Sequence, residues 1–218
     1  GITASYSSYQ TFDVEAVISG AISDTMQGRL AVKSITSGEG WQESLTRDDE
    51  LGEKDVQSIR AMLNIDLSDN AELLLTAQYT DDQSENSAPT AYSGTEVGLN
   101  EFLAPYLALA DYILPTGPNF GATPPWYSLD DNEKADWTNS YTSPITGSTF
   151  DLRPQRDNQL TSFRAKLTWD LSNNMTLTSI TAWDNFERQE ANDWDGGFYN
   201  DPSNINTTDL DVFSQEIR

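Results

Sequence analysis

Apolar and polar residues alternate along much of this chain. From Ser58 to Leu67, the residues Ile59, Ala61, Leu63, Ile65 and Leu67 share one parity, and Met62 alone interrupts the polar set between them. A period of two places successive side chains on opposite faces of a strand. After Ser68-Asp69-Asn70 the pattern resumes with Ala71, Leu73, Leu75, Ala77 and Tyr79. Two such runs around a short polar turn predict a β-hairpin.

The unit recurs. Ser58 to Asn70 aligns with Ser162 to Asn174, keeping Ser, Arg-Ala, Leu, Asp-Leu-Ser and the final Asn, with Phe163, Ala165, Leu167, Trp169 and Leu171 on the apolar parity. Its return strand is expected from Met175 to Phe186. A looser copy spans Val14 to Ser34, turning at Ser23-Asp24-Thr25. Adding Ile2–Tyr9 and Phe213–Arg218 gives about eight strands in an all-β, antiparallel arrangement.

The connections predicted between hairpins, 37–55, 81–158 and 187–211, are long, whereas the turns are short. That alternation, with strands of about ten residues, is what a transmembrane β-barrel shows between its extracellular loops and periplasmic turns. Tyr79, Trp183 and Trp169 fall where interfacial aromatics would sit. A water-soluble antiparallel sheet with one wet face produces the same alternation. No apolar run approaches the length of a membrane-spanning helix.

Charge sharpens this picture. The 218 residues carry 35 acids and 12 bases, a formal net charge of −23. Of the acids, 26 lie in the three long connections, so a nearly neutral framework is joined by acidic segments. The balance argues against a nucleic-acid backbone as partner. His and Cys are both absent, which excludes disulfides, Cys/His zinc sites and His-based triads. No catalytic constellation emerges, so neither an enzyme nor a cofactor is expected.

Val17-Ile18-Ser19-Gly20-Ala21-Ile22-Ser23-Asp24-Thr25 running into Arg29-Leu30-Ala31-Val32-Lys33 resembles the start of the barrel in TonB-dependent outer-membrane receptors. So do Leu51-Gly52-Glu53-Lys54-Asp55 before Ser58-Ile59-Arg60-Ala61, the two Asp-Leu-Ser turns, and Phe213-Ser214-Gln215-Glu216-Ile217-Arg218. The resemblance implies that residues 1–218 form part of a 22-stranded barrel domain in the outer membrane of a Gram-negative bacterium, without its plug. It further implies active uptake of an iron chelate, cobalamin or glycan, energised by the TonB system through that plug. Outer-membrane lipid would then surround the wall. Two other readings are a passive porin-like or structural barrel, and a secreted acidic β-sandwich that binds carbohydrate.

Candidate site residues follow from these readings. Trp126, Tyr127, Trp137, Tyr141, Trp194, Phe198 and Tyr199 gather in the long connections, where aromatic rings either stack on a sugar or chelate or pack the loops together. Arg60, Arg164 and Lys166 lie on the polar parity and would face a lumen and plug, with Arg60 and Arg164 at matching positions of successive hairpins. Asp81, Asp82, Asp193 and Asp195 supply oxygen ligands at spacings compatible with calcium, although no EF-hand pattern is present. Leu99 to Leu114 has helical spacing at Phe102, Tyr106, Ala110 and Ile113.

Overall fold

The computed structural model describes residues 1–44, 47–89, 134–135, 137, 141–142, 149–150, 153–172, 174–193 and 204–218. Leu99 to Leu114 lies outside them. Eight strands form one antiparallel sheet. They are β1 (Ile2–Ser7), β2 (Thr11–Ser23), β3 (Met26–Thr36), β6 (Asp55–Ser68), β7 (Ala71–Asp82), β10 (Gln155–Ser172), β11 (Met175–Asn192) and β12 (Asn204–Ile217). Each pairs with its sequence neighbour in that order. Two short ribbons complete the described strands: β4 (Gln42–Glu43) with β5 (Glu50–Leu51), and β8 (Tyr141–Thr142) with β9 (Thr149–Phe150).

The repeated sequence produces repeated geometry. At the short-turn end, register shifts occur between Ala21 and Ser23, between Asp66 and Ser68, and between Asp170 and Ser172. Adjacent turns are tied together, since Asp66 N donates to Thr25 O at 2.9 Å and Asp170 N to Asn70 O at 2.8 Å. The Asn70 side chain adds a bond to Asp170 O, also 2.8 Å. Each hairpin therefore fixes the register of the next.

The sheet is open. Among the described residues, β1 pairs only with β2, and β12 only with β11. A barrel has no edges, because its first and last strands pair. The expected transmembrane β-barrel portion is thus corrected to an open antiparallel sheet with two free edges. One connection also departs from the expected alternation. β1 and β2 meet at the long-connection end through a tight turn, Ser8 to Thr11, in which Thr11 N bonds Ser8 O at 3.3 Å. Its central residues, Tyr9 and Gln10, have φ of 61° and 49°. Positive φ at both positions is the type I′ geometry that suits the twist of a hairpin.

Strands also run further into the acidic segments than expected. β10 begins at Gln155, β11 reaches Asn192 and β12 starts at Asn204. Beyond the sheet, Leu51, Ala88, Ala135 and Trp137 form a small buried cluster. Segments far apart in sequence therefore converge into a cap at this end.

Candidate functional site

The register assembles the alternating residues into continuous rows across the sheet. One row runs Ile18, Leu30, Ala61, Ala77, Phe163, Trp183 and Phe213, from β2 to β12. The next runs Gly20, Gly28, Leu63, Leu75, Ala165 and Thr181. These side chains share one face, and many remain open to solvent: Ile18 is 72% exposed, Phe163 52% and Phe213 68%.

This face is hollowed. A trough of about 900 Å³ crosses six strands, lined by residues from Ile18 in β2 to Trp183 in β11. Small residues at Gly20, Gly28, Ala61, Ala77 and Ala165 form low points, and larger ones at Leu30, Leu63, Phe163 and Trp183 stand beside them. Gly28 leaves room for the Ile22 side chain. A Cβ at that position would lie 2.7 Å from Ile22 Cδ1, which folds over it. Phe163 and Trp183 stack with centroids 5.8 Å apart and planes 22° from parallel.

Toward the long-connection end the same face turns acidic. Asp211 lies in the row beyond Trp183, followed by Asp81, Glu187 and Asp209, then by Asp55 and Asp157. A second hollow of about 370 Å³ is bounded there by Asp157, Gln159, Glu187, Gln189, Thr207 and Asp209, with Arg188 and Thr208 of the opposite parity completing its wall. Asn185 Nδ2 donates to Asp211 at 3.2 Å and Asp209 at 3.4 Å. Every Lys and Arg of the described strands has the opposite parity by the pairing register, including Arg29, Arg164 and Arg188, which border the two hollows from within their strands.

The bases lie on the opposite face, several with partners. Lys33 pairs with Asp13 at 3.3 Å, and Arg164 with Asp184 at 3.6 Å. Ser162 Oγ donates to Asp184 at 2.5 Å. Arg188 and Asn158 bond Glu190. Partial burial pushes the Glu190 carboxyl up, but these two bonds together with the charges of Arg188 and Arg156 outweigh it and hold the group below its ordinary pKa.

The cap is built around two arginines. Arg153 Nη1 reaches both Asp49 oxygens at 3.1 and 3.0 Å, its Nε bonds Glu85, and its Nη2 donates to Glu50 O at 2.5 Å. Partial burial disfavours its charge, yet its hydrogen bonds to Glu85 and Asp49, with the charges of those carboxylates, prevail and raise its pKa. Glu53, beside this cluster, is pushed above the usual carboxylate value by burial and then by Glu85, against the pull of Arg153. Arg47 lies 5.0 Å above the Trp137 ring and donates to Trp137 O at 3.0 Å.

Among the residues singled out from sequence, Trp137 is 1% exposed, so its ring packs the cap and presents no surface. Asp82 pairs with Arg156 at 3.5 Å and accepts from Ser84 N, Asp81 accepts from Gln83, and Asp193 is buried. Trp126, Tyr127, Trp194, Asp195, Phe198 and Tyr199 lie outside the described residues; Tyr141 belongs to β8 by its backbone. No group of three acids among the described residues is arranged to hold a metal. Arg60, Arg164 and Lys166 share the polar face, but no lumen encloses them. Arg60 shares a row with Gln78 and Ser162, whereas Arg164 is level with Thr76 and Met62, so the expected ladder is offset by one row.

No family model, curated protein or solved structure matches this chain.

The resemblance to TonB-dependent receptors is therefore corrected. No family match supports it, and the sheet lacks the closure on which the outer-membrane placement rested. Energised uptake, the passive barrel and the carbohydrate-binding sandwich fall with it. Among the described residues the eight-stranded sheet is accompanied only by two two-stranded ribbons, and no match supports any of the three. The sequence had signalled the apolar parity itself. The trough floor was hidden in it, because Gly20, Gly28, Ala61, Ala77 and Ala165 become neighbours only once register is set.

Proposed function

We propose that this chain is a non-catalytic association module whose working surface is the apolar face of its eight-stranded sheet. The observation that carries this reading is the continuous row from Ile18 to Phe213, hollowed by the trough of about 900 Å³. Eight strands at about 4.8 Å spacing and several rows at about 6.8 Å give a face on the order of 600 Å². Contiguous apolar patches of that size mark interaction surfaces, because water makes them costly to leave bare. The trough is also within the size range of ligand-accepting hollows.

Nile red fluorescence on the full chain tests the reading. Ala77→Glu introduces a charge into the trough floor, whereas Thr76→Glu does so on the opposite face of the same strand. Ala77→Glu is expected to abolish dye enhancement with the far-ultraviolet circular dichroism unchanged, and Thr76→Glu to retain it. Equal enhancement in both variants overturns the proposal.

A further inference from the structure

Resting on that reading, we infer that the partner of the apolar face is an amphipathic helix with Lys and Arg along one flank. The trough runs across the strands, from Ile18 in β2 to Trp183 in β11. Five inter-strand steps make it about 24 Å long. Spread over that length, its volume of about 900 Å³ leaves a cross-section of roughly 40 Å², room for one row of side chains. A helix of about sixteen residues covers the same span and presents one apolar stripe, its successive turns about 5.4 Å apart. That repeat is within about 0.6 Å of the strand spacing, so the apolar stripe steps from strand to strand and falls only about half a strand behind over the whole span.

Charge selects the flank. Asp211 lies one row from the trough axis, about 7 Å away, and Asp81, Glu187 and Asp209 lie two rows away, about 14 Å. None of these four carboxylates, nor Asp55 or Asp157, forms an ion pair with a described residue. Among the described strands no Lys or Arg shares the parity of these acids, so the occupant is the source of complementary cations. A second copy of this chain offers the same face, equally without Lys or Arg, and leaves the acids unmatched. An extended basic arm without an apolar stripe would leave the trough empty.

The test is fluorescence anisotropy of labelled helical peptides against the full chain. One peptide combines a Leu stripe with Lys flanks, a second replaces Lys by Glu, and a third scrambles the Leu/Lys order. The Leu/Lys helix is expected to bind about tenfold or more tighter than either control, with affinity falling as salt rises. Combining Glu187→Gln, Asp209→Asn and Asp211→Asn should remove its preference over the Leu/Glu helix, with circular dichroism confirming an intact sheet. Ala77→Glu should weaken both helices. Equal binding of the Leu/Lys and Leu/Glu helices overturns the inference and leaves the association reading standing. Equal binding of the scrambled peptide shows mere attraction to acid and also overturns it. Sedimentation with phosphatidylcholine vesicles, without peptide binding, assigns the face to lipid and overturns it too. If Nile red fails to report the trough as well, the association reading falls with it.

Discussion

Gln42 and Ala88 hold each other by a reciprocal pair of hydrogen bonds. The Gln42 amide nitrogen donates to Ala88 O at 2.8 Å, and Ala88 N donates to the Gln42 amide oxygen at 2.8 Å. Both residues are buried, 46 positions apart. Replacing Gln42 by Leu leaves a buried N–H and C=O without partners, which costs about 2–3 kcal/mol. Urea unfolding of the cap should shift to lower concentration, and protease cleavage between residues 83 and 89 should accelerate while the sheet stays folded.

The cap was not legible in the sequence. Gln42, Leu51, Ala88, Ala135 and Trp137 share no period and come from segments separated by long stretches. The hairpins, in contrast, were legible because one repeat wrote the same alternation twice. Their outer ends were missed for a physical reason. Glu187-Arg188-Gln189-Glu190 contains no apolar residue, so nothing alternates there, yet β11 continues because β10 and β12 hydrogen-bond it from both sides. The candidate face was half legible: parity identified its side chains, but only the register showed the trough and the acids beside it. Closure into a barrel is not written in the period of any strand. It depends on whether the first and last strands meet.

Arg153 is the cation shared by Asp49, Glu85 and the Glu50 carbonyl. Arg153→Ala should destabilise the cap by about 1–2 kcal/mol, because three acceptors lose one forked donor at a partly exposed site. Arg153→Lys should recover only part of this, since an ammonium cannot span the same set. Hydrogen exchange of the Glu53 and Glu85 amides reports the change directly.

Acid should favour the cap at one position. The folded-state pKa of Glu53 is raised, so its contribution is fully present below the ordinary carboxylate value and is lost as pH rises through the raised one. Glu53→Gln should therefore raise Tm at neutral pH, with the gain vanishing toward low pH. Glu190, with a lowered pKa, contributes in the reverse sense: its stabilisation is present above the ordinary value and is lost on acidification. Glu190→Gln should lower Tm at neutral pH only. Differential scanning calorimetry across the acid range separates the two.

The β1–β2 turn carries backbone cost at Tyr9, which has no glycine-like freedom at φ 61°. Tyr9→Gly relieves it and should stabilise the chain by up to about 1 kcal/mol, whereas Tyr9→Val should destabilise by a similar amount. Thermal unfolding of the pair provides the check.

The chain departs from the sheet beyond β7 and returns to β10 at nearly the same place. Asn86 N donates to Pro154 O at 3.0 Å, Arg156 N donates to Ser84 O at 2.9 Å, and the Asn86 amide also reaches Gln155 O at 3.2 Å and Ala191 O at 3.1 Å. These bonds continue the β7–β10 alignment past the end of the ladder, and lengthening the segment between them raises the closure entropy only slowly. That junction is a socket. The sheet is keyed below it by strand register, whereas the cap above it draws Ala88, Ala135, Trp137 and Arg153 from the insert itself, so the two are specified by separate parts of the chain.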